Sequence, residues 1–322
     1  MDRNLALEVV RVTEAAALAS ARFMGRGDEA GADRAAVEAM RRAFDAIPVR
    51  GTVVIGEGER DAAPMLYIGE EIGDPGGPAV DIAVDPLEGT NLVARGQNGA
   101  LAVIATAERG GLMHAPDTYM QKLIVGPPAA GKVRLEYPVE ANLRILADSL
   151  RRDVSDLVIV ILDRPRHAPL VEQVRAAGAR IKLIGDGDVA AAISAAVAGT
   201  GDHAVMGVGG APEGVLAAAA LRCLGGEILG RFMPRDEAEA DRCRRMGVDL
   251  DRVYTTEDLA SGEHMTFACT GVTDGDLFRG VHFFAGGART HSLVMSAPGR
   301  AVRFVDTVHV FDRRALGSVR IG

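Results

Sequence analysis

Asp85 and Glu88 stand three residues apart in VDIAVDPLEGTNL, residues 80–92, with Pro86 and Gly89 around them and Thr90 next. Carboxylates at the end of a strand offer hard oxygen ligands, which suit magnesium or manganese, and magnesium keeps coordination places for water and phosphate oxygens. The same residue types also make an ordinary surface turn. Other acids share this setting. Asp33 lies near the start of an expected helix, where an N-cap is the plain alternative. Glu57 and Glu59 follow a short strand in GEGERD, otherwise a solvated turn, and Glu213 lies in a helical first turn, where the dipole alone favours an acid. All of them fall at element ends beside glycines, where α/β folds gather ligand sites. The seven histidines form no pair at helical ligand spacing. Any metal here is therefore held by oxygen, which excludes a typical zinc centre and favours magnesium or manganese.

Basic residues suggest the complementary half of a site. DRPRH at 163–167 puts Arg164 and Arg166 around Pro165 just past an apolar strand, a rigid turn suited to bidentate phosphate recognition or simply a pair of surface arginines. GDGD at 185–188 ends the next strand and either hydrogen-bonds sugar hydroxyls or turns the chain. A parallel sheet would bring both segments to one rim. GPPAAGKV at 126–133 imitates a phosphate loop, yet Val133 replaces the hydroxyl residue and the segment joins two expected strands, not a strand and a helix. GVGGAPEG at 207–214 follows a strand and opens a helix without dinucleotide spacing; its glycines would let backbone amides approach an anion.

The elements that must position these groups follow from periodicity. Leu5, Val9, Val12, Ala16, Ala19 and Phe23 mark an amphipathic helix, broken by GRGDEAG before a second helix through Val37, Met40, Phe44 and Ile47. Val53–Ile55 and Val80–Val84 read as strands, as do residues 100–107 and a pair within 121–136 joined as a hairpin by PPAAG. From about residue 140, helices near 139–152, 168–177 and 188–198 alternate with LVIVIL, RIKLIG and HAVMGV, the rhythm of parallel βαβ units. VLAAAALRCL then leads to EILGRF, and β-rich segments close the chain from Met265. The expected class is α/β. Residues 1–150 form a mixed-sheet α+β part carrying metal ligands, and residues 151–322 an α/β part with a mainly parallel sheet; the boundary is soft.

Composition removes several function classes. The 322 residues carry a net charge of −8 and no Lys/Arg run with interleaved aromatics, which argues against nucleic-acid binding. The longest apolar runs are strand-length, far short of a membrane span, and the amino-terminal residues do not form a secretory signal. Cys223, Cys243 and Cys269 are widely spaced and read as reduced packing thiols of a cytoplasmic protein.

In these motifs the chain resembles the class II fructose-1,6-bisphosphatases of bacteria, within the lithium-sensitive sugar-phosphatase superfamily that includes inositol monophosphatases. The superfamily pattern D-P-[IL]-[DE]-G-[ST] stands at Asp85–Thr90. GRGD at 25–28, IGEGERD at 55–61, DRPRH, GDGD and GVGGAPEG add class II character, in order along essentially the whole chain. The resemblance implies a layered αβαβα fold and two or more divalent ions, Mn2+ or Mg2+. Asp33 and Glu57 would hold one ion; Asp85, Glu88 and Glu213 would hold another. Glu88, Gly89 and Thr90 would contact the scissile 1-phosphate. Tyr119, Arg164, Pro165, Arg166, Asp186, Gly187, Asp188 and Gly210 would line the sugar and its second phosphate. A water oriented by Thr90 would attack in line, with Asp61 or a neighbouring acid assisting its deprotonation. Family members often carry lysine after GRGD, whereas this chain has Glu29.

The implied reaction is hydrolysis of fructose 1,6-bisphosphate to fructose 6-phosphate, a step of gluconeogenesis, by a homo-oligomer (dimer or tetramer). Sedoheptulose 1,7-bisphosphate, alone or as a second substrate, shares the 1-phosphate end and is not separated by these motifs. Inositol-phosphate or nucleotide-phosphate hydrolysis fits the arginine turn less well. A non-catalytic sugar-phosphate sensor would be the reading if the acids were eroded, and all five implied ligands are present.

Overall fold

The structure is a computed structural model that describes residues 5–58, 64–297, 299 and 301–311. In chain order its first half comprises α1 (Leu5–Ser20), α2 (Glu29–Phe44), β1 (Arg50–Ile55), β2 (Glu71–Gly73), β3 (Ala79–Glu88), α3 (Thr90–Arg95), β4 (Leu101–Glu108), β5 (Tyr119–Val125) and α4 (Val139–Leu150). Then follow β6 (Val158–Leu162), α5 (Ala168–Ala176), β7 (Arg180–Ile184), α6 (Asp188–Ala196), β8 (Ala204–Gly210), α7 (Ala211–Leu224) and β9 (Glu227–Met233). The chain closes with α8 (Glu237–Arg245), β10 (Tyr254–Thr255), α9 (Thr256–Leu259), β11 (Met265–Gly271), β12 (His282–Phe284), β13 (Gly287–Ala297) and β14 (Ala301–Val310).

Two sheets result. One runs β12-β13-β11-β4-β3-β1-β2 with β14 added on β13; the other runs β10-β9-β5-β8-β6-β7. Strand alternation sends successive side chains to opposite faces, and three apolar cores show which layers those faces meet. Val80, Ile82, Val84 and Ile104 pack with Val9, Val12, Val37 and Met40 of α1 and α2. Ala83, Val103 and Phe267 pack with α6 and α7 and, beyond them, with Met120, Ile124 and Val205 of the second sheet. Leu123, Ile159 and Ile161 pack outward against Leu143, Leu146 and Val174 of α4 and α5. The order is therefore helices, sheet, helices, sheet, helices, the αβαβα layering expected. α7 suits the middle layer: Ala217 to Ala220 are all buried, and a helix apolar on every side needs neighbours on every side.

Three expectations need correction. Parallel pairing in the second sheet is confined to β6–β7 and the short β6–β8 contact, while β5, β8, β9 and β10 pair antiparallel. A division at residue 150 does not follow the sheets, because β5 belongs to the second sheet and β11, β12, β13 and β14 return to the first. The hairpin across PPAAG is absent: β5 is followed by a short 3-10 turn, Pro127–Ala129, and no partner strand. Asn142 of α4 takes that strand's place. Its amide accepts from Arg134 N and donates to Arg134 O, at 3.1 and 2.8 Å, so the backbone is satisfied while Val133 is buried. Cys223, Cys243 and Cys269 are buried free thiols, as expected. No described helix is long and apolar enough to cross a membrane.

Candidate active site

The D-P-L-E segment, whose residue types also suit a surface turn, is part of a strand. β3 continues to Glu88, with Asp85 opposite Val103 and Glu88 opposite Leu101, so three steps on β3 match two on β4. That extra residue is a β-bulge. Its effect is decisive for chemistry. Residues three apart in a regular strand point to opposite faces, but the bulge sends Asp85 and Glu88 to the same face, the one shared by Val103 and Leu101 and covered by α6 and α7. Gly89 follows with φ +83° and starts α3, a conformation that glycine adopts without cost to a side chain.

Other elements bring the remaining acids to this face. Asp28, not Asp33, caps α2 by accepting from Gly31 N at 2.8 Å, which puts Asp33 one turn inside the helix. The GRGD turn anchors that helix to α3 through Gly25 N–Val93 O and Gly27 N–Ala94 O bonds of 2.9 Å. Glu57 leaves the end of β1 with its amide bonded to Leu66 O at 3.0 Å. Glu213 occupies the first turn of α7, after Pro212.

Asp33, Glu57, Asp85, Glu88 and Glu213 line one cleft of about 610 Å³. Gly89, Thr90, Tyr119, Arg164, Arg166, Asp186, Asp188 and Gly210 line it too, as does Glu29. Pro165 begins the 3-10 turn between the two arginines, and Gly187 backs onto a neighbouring cavity. Asp61, expected to help deprotonate water, and Glu59 lie outside the described residues.

The acids repel one another in a poorly hydrated place. Burial, with the charge of Asp33 beside it, pushes the Glu57 carboxyl up to about 7. Burial first, then repulsion from Glu213 and Glu57, holds Asp85 well above the usual carboxylate range; burial, Asp85 and Asp188 do the same to Glu88. Asp33 and Glu213 are raised mainly by burial, Lys122 partly offsetting the effect at Glu213. Glu88 Oε2 and Glu213 Oε2 are buried without a hydrogen-bond partner, as is Asp188 Oδ1. Buried oxygens that lack a donor and a set of mutually repelling acids fit divalent-cation chemistry. The side chains surround the cleft without already closing on a point: among the described residues no three His, Cys, Asp or Glu groups form a ready ion cage.

The opposite rim is basic. Past Val205, β8 loses its pairing with β6, and the DRPRH turn satisfies the exposed backbone. Val208 N donates to His167 Nε2 at 2.8 Å, and Arg166 Nη2 donates to Val208 O at 2.8 Å. His167 Nδ1 must then carry the proton, which it gives to Leu162 O at 2.7 Å. Arg164 is fixed by Gly185 O at 2.7 Å and lies 3.6 Å from Asp186, joining DRPRH to GDGD. The Arg166 guanidinium stands 4.8 Å from the Tyr119 ring centre. Sequence reasoning missed Arg235, which lies 5.6 Å from the same ring, held by Glu239. It comes from an irregular stretch before α8 with no motif around it.

GVGGAPEG now has a steric account. A side chain on Gly210 would place Cβ 1.8 Å from Glu213 Oε2. The Gly210 backbone, φ −68° and ψ 143°, suits any residue, so Gly210→Ala displaces the carboxylate without straining the chain. The expected result is a protein that melts within a few degrees of the parent but has lost about 10²-fold in metal-dependent turnover, the scale of a misplacement near 1 Å. Parallel melting curves and rate measurements check it.

Comparison with known proteins gives a consistent picture. The model of the family described as "Bacterial fructose-1,6-bisphosphatase, glpX-encoded" matches residues 3–309. A protein of Synechococcus sp. (strain JA-3-3Ab), named D-fructose 1,6-bisphosphatase class 2/sedoheptulose 1,7-bisphosphatase, is 54% identical with all of both chains covered. A relative of the same name from Microcystis aeruginosa is 51% identical over 97% of this chain and 98% of its own.

Proposed function

The chain belongs to the bacterial, glpX-encoded fructose-1,6-bisphosphatase family, which makes it a hydrolase of the sugar-phosphatase superfamily, and from that premise we propose that it removes the 1-phosphate of both fructose 1,6-bisphosphate and sedoheptulose 1,7-bisphosphate. The resemblance gives fructose 1,6-bisphosphate as the main substrate, with sedoheptulose 1,7-bisphosphate, alone or as a second substrate, as the alternative. The names of the relatives, which carry both activities, favour the two-substrate alternative. The observation that carries the reading is the bulged Asp85–Glu88 pair facing Glu213 across a cleft whose other rim bears two arginines.

Asp33 and Glu57 would hold one divalent ion, and Asp85, Glu88 and Glu213 a second. When bound, such ions neutralise phosphate charge and acidify water. The chain's own residues supply the rest. Thr90 Oγ1 donates its proton to Leu87 O at 3.0 Å, which leaves the oxygen as an acceptor that orients the O–H of a water. Arg164 and Arg166 face the distal phosphate, whose capture depends on them because the net charge of −8 repels an anionic sugar. Asp186 and Asp188 accept from sugar hydroxyls between the two phosphates. A cleft open to solvent at its arginine rim accommodates a six- or seven-carbon chain by moving only the distal phosphate.

The test is phosphate release from fructose 1,6-bisphosphate, sedoheptulose 1,7-bisphosphate, inositol 1-phosphate and sugar monophosphates, with Mn2+, Mg2+ or chelator. Metal-dependent release from both bisphosphates is expected. Release from neither would overturn the proposal, and release from fructose 1,6-bisphosphate alone would restore the single-substrate reading.

A further inference from the structure

A buried cation sits beside the acids without belonging to any motif. Lys122, in the middle of β5, lies on the strand face shared by Met120 and Ile124 and packed between the sheets. Its side chain is 2% exposed and its ammonium is 2.6 Å from Asp188 Oδ2, itself on a side chain 7% exposed. The pair fills the space beneath β8: a Cβ on Gly209 would come within 2.2 Å of Asp188 Oδ2 and 3.2 Å of Lys122 Nζ. Asp188 Oδ1, the other oxygen, is buried with no partner.

Asp188 therefore stands among the acids implied as ligands. Its charge is felt by both Glu88 and Glu213, and the next residue of α6, Val189, ties its amide to Glu88 Oε1 at 2.9 Å. What sets Asp188 apart is direct contact: Lys122 also lowers the Glu213 carboxyl through its charge, but its ammonium is paired with Asp188. A buried ammonium that neutralises one carboxylate makes that carboxylate a poor competitor for a divalent ion, since the ion would have to displace a close, desolvated pair.

Building on the reading of the cleft as a metal-dependent sugar-bisphosphatase, we propose that Lys122 is a positioning residue that withholds Asp188 from the metal centre and commits its free oxygen to substrate hydroxyls. Gly209 is part of the device, because only a residue without a side chain leaves room for the pair under the cleft wall. The arrangement divides six neighbouring carboxylates into five for metal and one for sugar.

The full-length chain tests this with Lys122→Met and the double variant Lys122→Met/Asp188→Asn. Mn2+ binding is followed by calorimetry and by Mn2+-induced shifts in melting temperature, alongside KM and kcat for fructose 1,6-bisphosphate. Lys122→Met frees Asp188 to join the ion, so Mn2+ should bind about tenfold tighter while KM rises about tenfold. The double variant has the same net charge as the parent. It should bind Mn2+ within about threefold of the parent but keep the raised KM, because the acid committed to sugar is gone. If the double variant binds Mn2+ tenfold or more weakly than the parent, Asp188 is a metal ligand and the inference fails. An unchanged KM in the double variant overturns it equally. Should Lys122→Met not fold, the double variant, which removes both members of the buried pair, still decides whether Asp188 serves the metal or the sugar. A parent protein that binds no Mn2+ and releases no phosphate refutes the underlying reading instead.

Discussion

Asp85→Asn is expected to lower phosphate release by about 10³-fold or more, roughly 4 kcal/mol of transition-state stabilisation, while raising the melting temperature of the metal-free protein. Both effects have one cause. Asp85 is buried and pressed by Glu213, Glu57 and Asp33. In the absence of a cation its charge opposes folding, so the neutral amide relieves repulsion. With a cation the same charge becomes the attraction that holds the ion, and the amide forfeits it. Asparagine is the right probe because its carbonyl can still accept from Leu87 N, a bond now 3.1 Å long, so the bulge is kept. Steady-state rates with Mn2+ and melting curves with chelator measure the two arms. A variant with near-parental turnover would remove Asp85 from the metal centre.

The second large effect concerns pH. The folded-state pKa of Glu57 is raised from 4.5 to about 7 by burial and by Asp33. A raised acid contributes stability that is complete below its unfolded value and is lost as pH rises through the folded one. Glu57→Gln should therefore match the parent near pH 4.5 and exceed it by ~3 kcal/mol above pH 7.5, both metal-free, because each tenfold change in proton affinity is worth about 1.4 kcal/mol. The difference between variants is the quantity to follow. His203, His291 and His309, which burial pushes downward, act with the opposite sign in the same window and cancel in the subtraction. Saturating Mn2+ should reverse the order at pH 7.5, since the parent gains binding energy that the glutamine variant lacks. Melting midpoints that differ by the same amount at pH 5 and pH 8 would contradict the assignment.

Much of this was legible in the chain, for reasons that individual residues explain. The acids, the arginine turn and the glycines were readable because their types are tied to local chemistry, and the βαβ rhythm after residue 140 placed β6, β7 and β8 correctly. The bulge was not. Asp-Pro-Leu-Glu-Gly carries turn residues, and only the register against β4 reveals that the strand continues through them. Asp33 looks like a cap in sequence because Asp28, the fourth residue of GRGDEAG, falls within a glycine-rich stretch that reads as loop. Lys122 left a signal that periodicity could have found. In YMQKLIV, alternation puts a lysine on the same face as Met120 and Ile124, and a lysine on a core face must have an acid waiting for it. Arg235 left none, since its place over Tyr119 depends on how the chain returns after β9. The antiparallel pairings of β5 are invisible to local pattern for the same reason: they join segments that are far apart in sequence.

That long return has a consequence for how the protein is made. β4 is buried along nearly its whole length, and one of its two partners is β11, with Leu101 paired to Gly271 and Met265 to Ala107. At a synthesis rate of ~5–20 residues per second, the roughly 160–170 residues between them take on the order of 8–35 s to emerge. Throughout that interval the ribosome-bound chain presents an apolar strand with an unmatched edge, the kind of surface on which nascent chains misassociate. Of the acids implied as ligands, Asp33, Glu57, Asp85 and Glu88 are made before β4, and Glu213 arrives during the wait, ahead of β11. Every implied ligand is therefore made before the strand that closes the first sheet, and only an ion shared by Asp85, Glu88 and Glu213 has to wait for α7.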